Sequence, residues 1–318
     1  MKTGISTDRN AAVELLRSGE VVALPTETVY GLAADALNSI AVAKIFEAKG
    51  RPHFDPLIVH LPDRDWLEKV ADIPAQDRQS ILKLAEKFWP GPFTIVLPKQ
   101  KIVPDIVTAG LDTVAVRISA HPVFAEIIRA FGAPLAAPSA NRFGRVSPTT
   151  AQHVFDELSG RVPLIVDAGP TPHGIESTIV AVHDGKIDIL RRGPITADQL
   201  SGFGRVEIAT ERERISAPGQ LPSHYAPKTP LRFVEDLKSF KSEKRCGLLA
   251  WNPAKKDERF VAIRNLSERQ DLREAAANLF RYLRELDALD VDLIVAERVP
   301  ETGLGAAILD RLQRASHP

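Results

Sequence analysis

Seven short runs rich in β-branched residues occupy the first two-thirds of this 318-residue chain and restrict it to a sheet-based fold. They are VVALP at 21–25, PLIVHL at 56–61, FTIVL at 93–97, TVAVRI at 113–118, PLIVDAG at 163–169, STIVAV at 177–182 and IDILR at 187–191. Each is too short for a buried helix and is flanked by turn residues. Helical patterns fall between only some of them. SIAVAKIFEAKG at 39–50 is expected to bury Ile40, Ala43 and Phe46, with Gly50 ending the helix. HPVFAEIIRAFG at 121–132 groups Phe124, Ile127, Ile128 and Phe131 on one face. A third follows SPTTAQHVF at 147–155, where Ser147 is expected to cap and Pro148 to open the first turn. Strands that follow one another without a helix between them predict a mixed sheet.

After about residue 208 the pattern breaks. ERERISAPGQLPSHYAPKTP at 211–230 has few apolar residues and reads as a linker. A second α/β pattern follows: strands at GLLAW and FVAIRNL, a helix at 271–289 with Leu272, Ala276, Leu279, Leu283 and Leu286 near one face, a strand at DLIVAERV and a closing helix at GAAILDRLQRAS. The expected divisions are 1–208, a linker or lid at 209–230, and 231–318. The single cysteine, Cys246, excludes a disulfide scaffold and suits a reducing compartment. Equal numbers of basic and acidic residues, 41 each, exclude a bulk polycation but not a local basic groove. No apolar run approaches a membrane span, and the polar N-terminus does not read as a signal peptide, so the expected location is the cytoplasm.

Familiar catalytic signatures are missing. The sequence contains no P-loop, no GxSxG elbow and no zinc-ligand spacing of its histidines. Gly303-Leu304-Gly305 lacks the third glycine of a dinucleotide fingerprint, Ile308 standing in its place, and reads as a tight turn. Taken alone, Lys49-Gly50-Arg51-Pro52 reads as a basic helix end, where truncating Lys49 or Arg51 should open no core cavity. The loop from Pro138 to Arg142 likewise reads alone as a polar turn.

Seven motifs in order change that reading: PTETVYGL at 25–32, AKGRP followed by PLIVH at 48–60, PGPFTIVL at 90–97, VAVRIS at 114–119, APSAN at 137–141, GIESTIV at 174–180 and ILRRGPI at 189–195. Together they resemble the YrdC-type threonylcarbamoyl-AMP synthases, and APGQLPSHYAP with the second domain resembles the family's long, two-domain form. The resemblance implies an α/β fold: a twisted mixed sheet with a basic concave groove, plus a smaller Rossmann-like C-terminal domain. It implies synthesis of L-threonylcarbamoyl-AMP from L-threonine, bicarbonate or CO2, and ATP, with Mg2+ accompanying the nucleotide and pyrophosphate released. The product would pass to a separate transferase that modifies tRNA beside the anticodon; contact with tRNA itself is not required, and no membrane is involved.

By the same resemblance, Lys49, Arg51, Ser139 and Asn141 surround the nucleotide phosphates. Asp55, Thr113, Ser147 and Arg191 supply further ATP contacts, and Tyr225 a contact from a lid closing over the groove. Thr28, His60, Arg117, the backbone at Ala137, and Ser177 hold L-threonine, with Arg117 suited to bidentate capture of its carboxylate. At Asp55 the family often carries Asn, and an aspartate beside a triphosphate needs a cation, such as Mg2+, to face. Two rival readings of the fold are an RNA-binding protein and a carbamoyltransferase module. Zero net charge and the lack of aromatics interleaved with basic residues count against the first. The lack of zinc-finger and acylphosphatase regions counts against the second.

Overall fold

The computed structural model describes residues 1–209, 225–254 and 256–317. Two compact units emerge. Among the described residues, no helix is long and apolar enough to cross a membrane.

The strands of the first unit are β1 (Gly4–Ser6), β2 (Val22–Pro25), β3 (Tyr30–Asp35), β4 (Ile58–His60), β5 (Phe93–Pro98), β6 (Thr113–Arg117), β7 (Leu135–Ala136), β8 (Leu164–Val166), β9 (Thr178–His183), β10 (Lys186–Arg191) and β11 (Arg205–Ile208). They form one sheet in the order β1-β8-β2-β3-β7-β4-β6-β5-β9-β10-β11. Parallel pairs (β4 with β6, β5 with β9) alternate with antiparallel ones (β2 with β3, β5 with β6), so the sheet is mixed as expected. β1, β3, β7 and β11 escape the sequence patterns: three of them are edge or very short strands, and β3 lies within the YGLAAD run, whose small residues carry little β-propensity.

One face of this sheet is packed by the helices Ser39–Lys49, Arg78–Phe88 and Ala151–Leu158. At one end the other face is covered by the helices Arg9–Arg17 and Pro122–Phe131, through Leu16, Phe124, Ile127 and Ile128. Over β4, β5, β6, β9 and β10 a smaller apolar cluster, Ile58, Val96, Ala115, Ile179 and Leu190, contains strand residues only.

Two helix expectations need correction. In Ser39–Lys49 the buried stripe is Ala41, Val42, Ile45, Phe46, Ala48 and Lys49, whereas Ile40 is 75% exposed. Phe46 is buried as read, but Val42 and Ile45 take the places expected for Ile40 and Ala43, and 42, 45, 46 and 49 follow helical spacing, which carries Lys49 inside. The third helix begins at Ala151, not Pro148. Thr150, extended at φ −141°, caps it by accepting from the His153 amide at 3.2 Å. Pro148 is recruited elsewhere, its carbonyl accepting from the Tyr30 amide at 2.9 Å.

The second unit contains 225–254 and 256–317 together with the short segments 144–147 and 172–175. Its strands β12 (Leu231–Val234), β13 (Cys246–Ala250), β14 (Phe260–Asn265) and β15 (Leu293–Glu297) form an all-parallel sheet ordered β12-β15-β13-β14. The helices Leu272–Asp287 and Leu304–Ala315 follow β14 and β15, the Rossmann-like alternation anticipated above. Of Gly303–Gly305 only Gly303, at φ 53°, forms the turn expected there, and Leu304 and Gly305 already open the last helix. A Cβ on Gly305 would lie 1.9 Å from the Pro300 carbonyl oxygen, so close backbone approach explains that glycine without a dinucleotide.

Candidate active site

Alternation along the central strands sets out the site. On β6, Val114 and Val116 join the helix-packed core, so Thr113, Ala115 and Arg117 face the opposite side. On β4, Val59 faces the helices while Ile58 and His60 face away, and on β5 Thr94 and Val96 do likewise. Register then makes a polar row beside the apolar floor: His60 is the direct parallel partner of Arg117, and Thr94 pairs with Ile179, two residues beyond Ser177.

At one end of the row the loop between the paired β2 and β3 brings Glu27 and Thr28 to Arg117. Thr26 closes that loop, its hydroxyl accepting from the amides of Thr28 at 3.1 Å and Val29 at 3.2 Å. Arg117 Nη2 pairs with the Glu27 carboxylate and also donates to the Gly91 carbonyl at 3.3 Å, while Nη1 reaches Thr28 Oγ1 at 3.3 Å. Arg117 Nε has no hydrogen-bond partner among the described residues. The expected two-pronged fork therefore has its Nη2 arm engaged, because a buried guanidinium needs a counter-charge and Glu27 supplies it. Burial pushes the Glu27 carboxyl upward, but Arg117, the Ser119 hydroxyl and backbone amides together hold it below its ordinary value of 4.5. His60 is 2% exposed and its ring lies 4.9 Å from that of Phe124. Burial and then Arg117 push its pKa well below 6.5, so the imidazole is neutral at physiological pH. The Ile58 and Leu135 carbonyls pull the other way, but neither ring nitrogen has a partner in hydrogen-bond geometry among the described residues.

At the other end the Ser39–Lys49 helix closes on Gly50, which is left-handed at φ 60°, and the Arg51 amide bonds back to the Phe46 carbonyl at 3.0 Å. This turn separates Lys49 from Arg51. Lys49 is 2% exposed and donates to the carbonyls of Ser139 and Asn141, each at 2.5 Å, so it binds the 138–142 loop to the helix end. The expectation that its truncation opens no cavity is thereby corrected: the lysine lies on the helix's buried stripe. Burial, then Arg51, pushes the Lys49 ammonium well below its ordinary range, with Asp55 and Glu157 opposing.

Arg51 pairs with the fully buried Asp55 at 2.8 Å and donates to the Pro56 carbonyl at 2.9 Å. Asp55 thus faces a protein cation. Burial raises its pKa, with Arg51, Lys49 and Arg191 pulling it down. Oδ2 is engaged by Arg51, while Oδ1 is buried without a hydrogen-bond partner among the described residues, where no group of three metal-ligating side chains occurs. Arg191 bonds Ser177 through its carbonyl at 3.1 Å and its hydroxyl at 3.0 Å, and that hydroxyl meets Thr94 Oγ1 at 2.8 Å. A Cβ on Gly193 would fall 2.4 Å from the Thr178 amide nitrogen, so only glycine lets this loop approach the Ser177 backbone.

The fold therefore gathers Thr28, His60 and Arg117 around one end, and Lys49, Arg51, Asp55, Ser139, Asn141 and Arg191 toward the other, with Ser177 between them on Thr94 and Arg191. Ala137 lies beside β4, its amide donating to the Ile58 carbonyl at 3.0 Å. Thr113 begins β6, four residues and hence about 13 Å along the strand from Arg117. Ser147 and Tyr225 belong to the second unit, where Tyr225 is 1% exposed and its ring stacks on Phe280 at 5.4 Å. The rest of the expected lid, 210–224 with His224, lies outside the described residues. Sequence reasoning assigned no role to Glu27, Ser119 or Thr94. Glu27 carried one available signal: an acidic residue between two threonines in a short loop between two strands, with an arginine needing a partner on β6.

Two family models match the chain: Telomere recombination (Sua5_yciO_yrdC) over residues 14–193, and Threonylcarbamoyl-AMP synthase, C-terminal domain, over residues 195–317. A threonylcarbamoyl-AMP synthase of Bacillus subtilis is 41% identical, covering 96% of this chain and 92% of its own length. One from Pyrococcus abyssi is 40% identical over 96% of this chain and 93% of its own. The crystal structure of P. abyssi Sua5 complexed with L-threonine superposes with a TM-score of 0.90 at 37% identity, covering 99% of this chain and 98% of the other. The fold and the polar row define a YrdC-type α/β protein with a smaller parallel-sheet domain. The chain belongs to the Sua5/YrdC family of threonylcarbamoyl-AMP synthases.

Proposed function

We propose that this chain makes L-threonylcarbamoyl-AMP from L-threonine, CO2 or bicarbonate, and ATP, acting as a nucleotidyltransferase that releases pyrophosphate. The observation that carries this reading is the difference in charge along one row of side chains. Around Arg117 the charge is met by Glu27, whereas toward the other end Arg51, Lys49 and Arg191 all act on the one carboxyl of Asp55. A neutral polar end suits an amino acid, and a cationic end suits phosphates.

In this reading Arg117 meets the threonine carboxylate through its unpartnered Nε, with Thr28, Ser177 and the backbone at Ala137 around it. Neutral His60 accepts from the threonine ammonium. The ammonium gives one proton to bicarbonate in solution, the amine attacks the carbon of CO2, and a second bicarbonate takes the proton released as the carbamate forms. A carbamate oxygen then attacks the α-phosphorus and pyrophosphate departs. Arg51, Arg191 and the loop carrying Ser139 and Asn141 hold the phosphoryl oxygens, with Thr113, Ser147 and Tyr225 as further nucleotide contacts. No covalent enzyme nucleophile is required: positioning and charge stabilisation suffice. Mg2+ enters as the counter-ion of ATP. The product, a labile mixed anhydride, passes in the cytoplasm to a separate tRNA-modifying transferase.

The test is mass spectrometry of a reaction containing ATP, Mg2+, L-threonine and bicarbonate. The expected mass is that of threonylcarbamoyl-AMP, with pyrophosphate release dependent on both threonine and bicarbonate. Equal pyrophosphate release without an amino acid refutes the reading.

A further inference from the structure

The Glu27–Arg117 pair carries a consequence for which ligands this end of the row accepts. Glu27 is 5% exposed, and both its oxygens are used: one by Arg117, the other by Ser119. The neighbouring polar groups, His60, His121, Thr28 and Ser119, carry no charge at neutral pH, and Arg9, which also acts on His121, is paired with Glu126. Arg191 is engaged two side chains away with Ser177, on the side of the row shared with Asp55. The end around Arg117 therefore holds one positive and one negative charge, both inside the protein, with unpartnered donor and acceptor atoms at Arg117 Nε and the His60 ring. Had Arg117 stood unpaired, the site would attract any carboxylate anion.

We propose that Glu27 is a positioning residue that holds the net charge of the amino-acid end at zero, so that the site selects a zwitterion over a carboxylate anion of the same shape. The ligand class is an α-amino acid, and the class rejected is its 2-hydroxy acid counterpart. Glu27 acts through Arg117: it engages Nη2, leaves Nε for the ligand, and cancels the charge that would otherwise favour an anion. This inference rests on the synthase reading for the location of the amino-acid pocket.

The test is titration calorimetry of the full chain with L-threonine and with (2S,3R)-2,3-dihydroxybutanoate, which replaces the ammonium by a hydroxyl and leaves the shape unchanged. Wild type is expected to bind threonine at least about 100-fold more tightly, because the hydroxy acid brings an uncompensated charge into a neutral site. In Glu27→Gln the ratio should fall by about tenfold or more, since an unpaired Arg117 repels the ammonium and attracts either carboxylate. Glu27→Asp, which keeps the charge, should bind both ligands less well at nearly the wild-type ratio. A purely structural Glu27 would weaken both ligands in proportion, and an unchanged ratio in Glu27→Gln overturns the proposal. Should that variant fail to fold, comparable binding of the two ligands by wild type overturns it equally. Absence of threonine binding by wild type would instead refute the synthase reading itself.

Discussion

Replacing Lys49 by alanine should damage the fold as well as the chemistry. The ammonium donates to two carbonyls, those of Ser139 and Asn141, and the side chain is 2% exposed. Truncation orphans both acceptors, at about 1–3 kcal/mol each. It also removes three buried methylenes, at about 0.8 kcal/mol each. Relief of the buried ammonium's desolvation opposes these losses by several kcal/mol. The net expectation is a loss of about 3 kcal/mol, a large share of a typical stability of about 5–15 kcal/mol. Lys49→Met retains most of the stem and should lose about 1–2 kcal/mol less. Urea unfolding followed by far-UV circular dichroism measures both. Turnover should fall in both variants, because the 138–142 loop loses its anchor. A Lys49→Ala protein within about 0.5 kcal/mol of wild type, the range of an ordinary surface change, refutes this reasoning and restores the simple basic helix end.

Further outcomes follow from individual contacts. Thr150→Ala should cost about 1 kcal/mol by removing the cap on the Ala151–Leu158 helix, read as a lowered thermal midpoint; no change would return the cap to Ser147. Gly193→Ala should reduce threonine binding as its methyl displaces the Ser177–Thr178 backbone, and a wild-type Kd would show that the loop yields freely. Glu27, with its pKa depressed below 4.5, contributes stability present above that value and lost as pH falls through the folded-state pKa. Urea midpoints measured from pH 6 to pH 3 should therefore decline less steeply in Glu27→Gln than in wild type. Parallel slopes would remove Glu27 from the acid response.

The mixed sheet and most of its strands were legible because β-branched runs of strand length leave few alternatives. β7, with two residues, and β3, rich in glycine and alanine, give no such signal and exist because neighbouring strands supply their partners. The motifs pointed to the residues of the site but not to their burial. Lys49 reads as a solvated helix end until Val42, Ile45 and Phe46 are recognised as the buried stripe that it continues. Asp55 reads as misplaced beside phosphates until Arg51, four residues earlier, is seen to pair with it. The signal at Glu27 did not by itself single out Arg117, because their contact spans 90 residues and depends on three-dimensional pairing.

The parallel register of β4 and β6 sets His60 opposite Arg117 on strands only three and five residues long. Side chains alternate faces, so a slip of one residue in β4 would turn His60 toward the helices and bring Val59 into the polar row. β4 is held on both sides, parallel to β6 and antiparallel to β7, and the Ala137 amide bonds the Ile58 carbonyl at its start. Amino-acid binding thus reports on strand alignment: a population of chains that has acquired its secondary structure but misaligned this short strand would look native by circular dichroism and be blind to threonine. Recovery of ligand binding after denaturation would therefore time the last alignment of the sheet, separately from its formation.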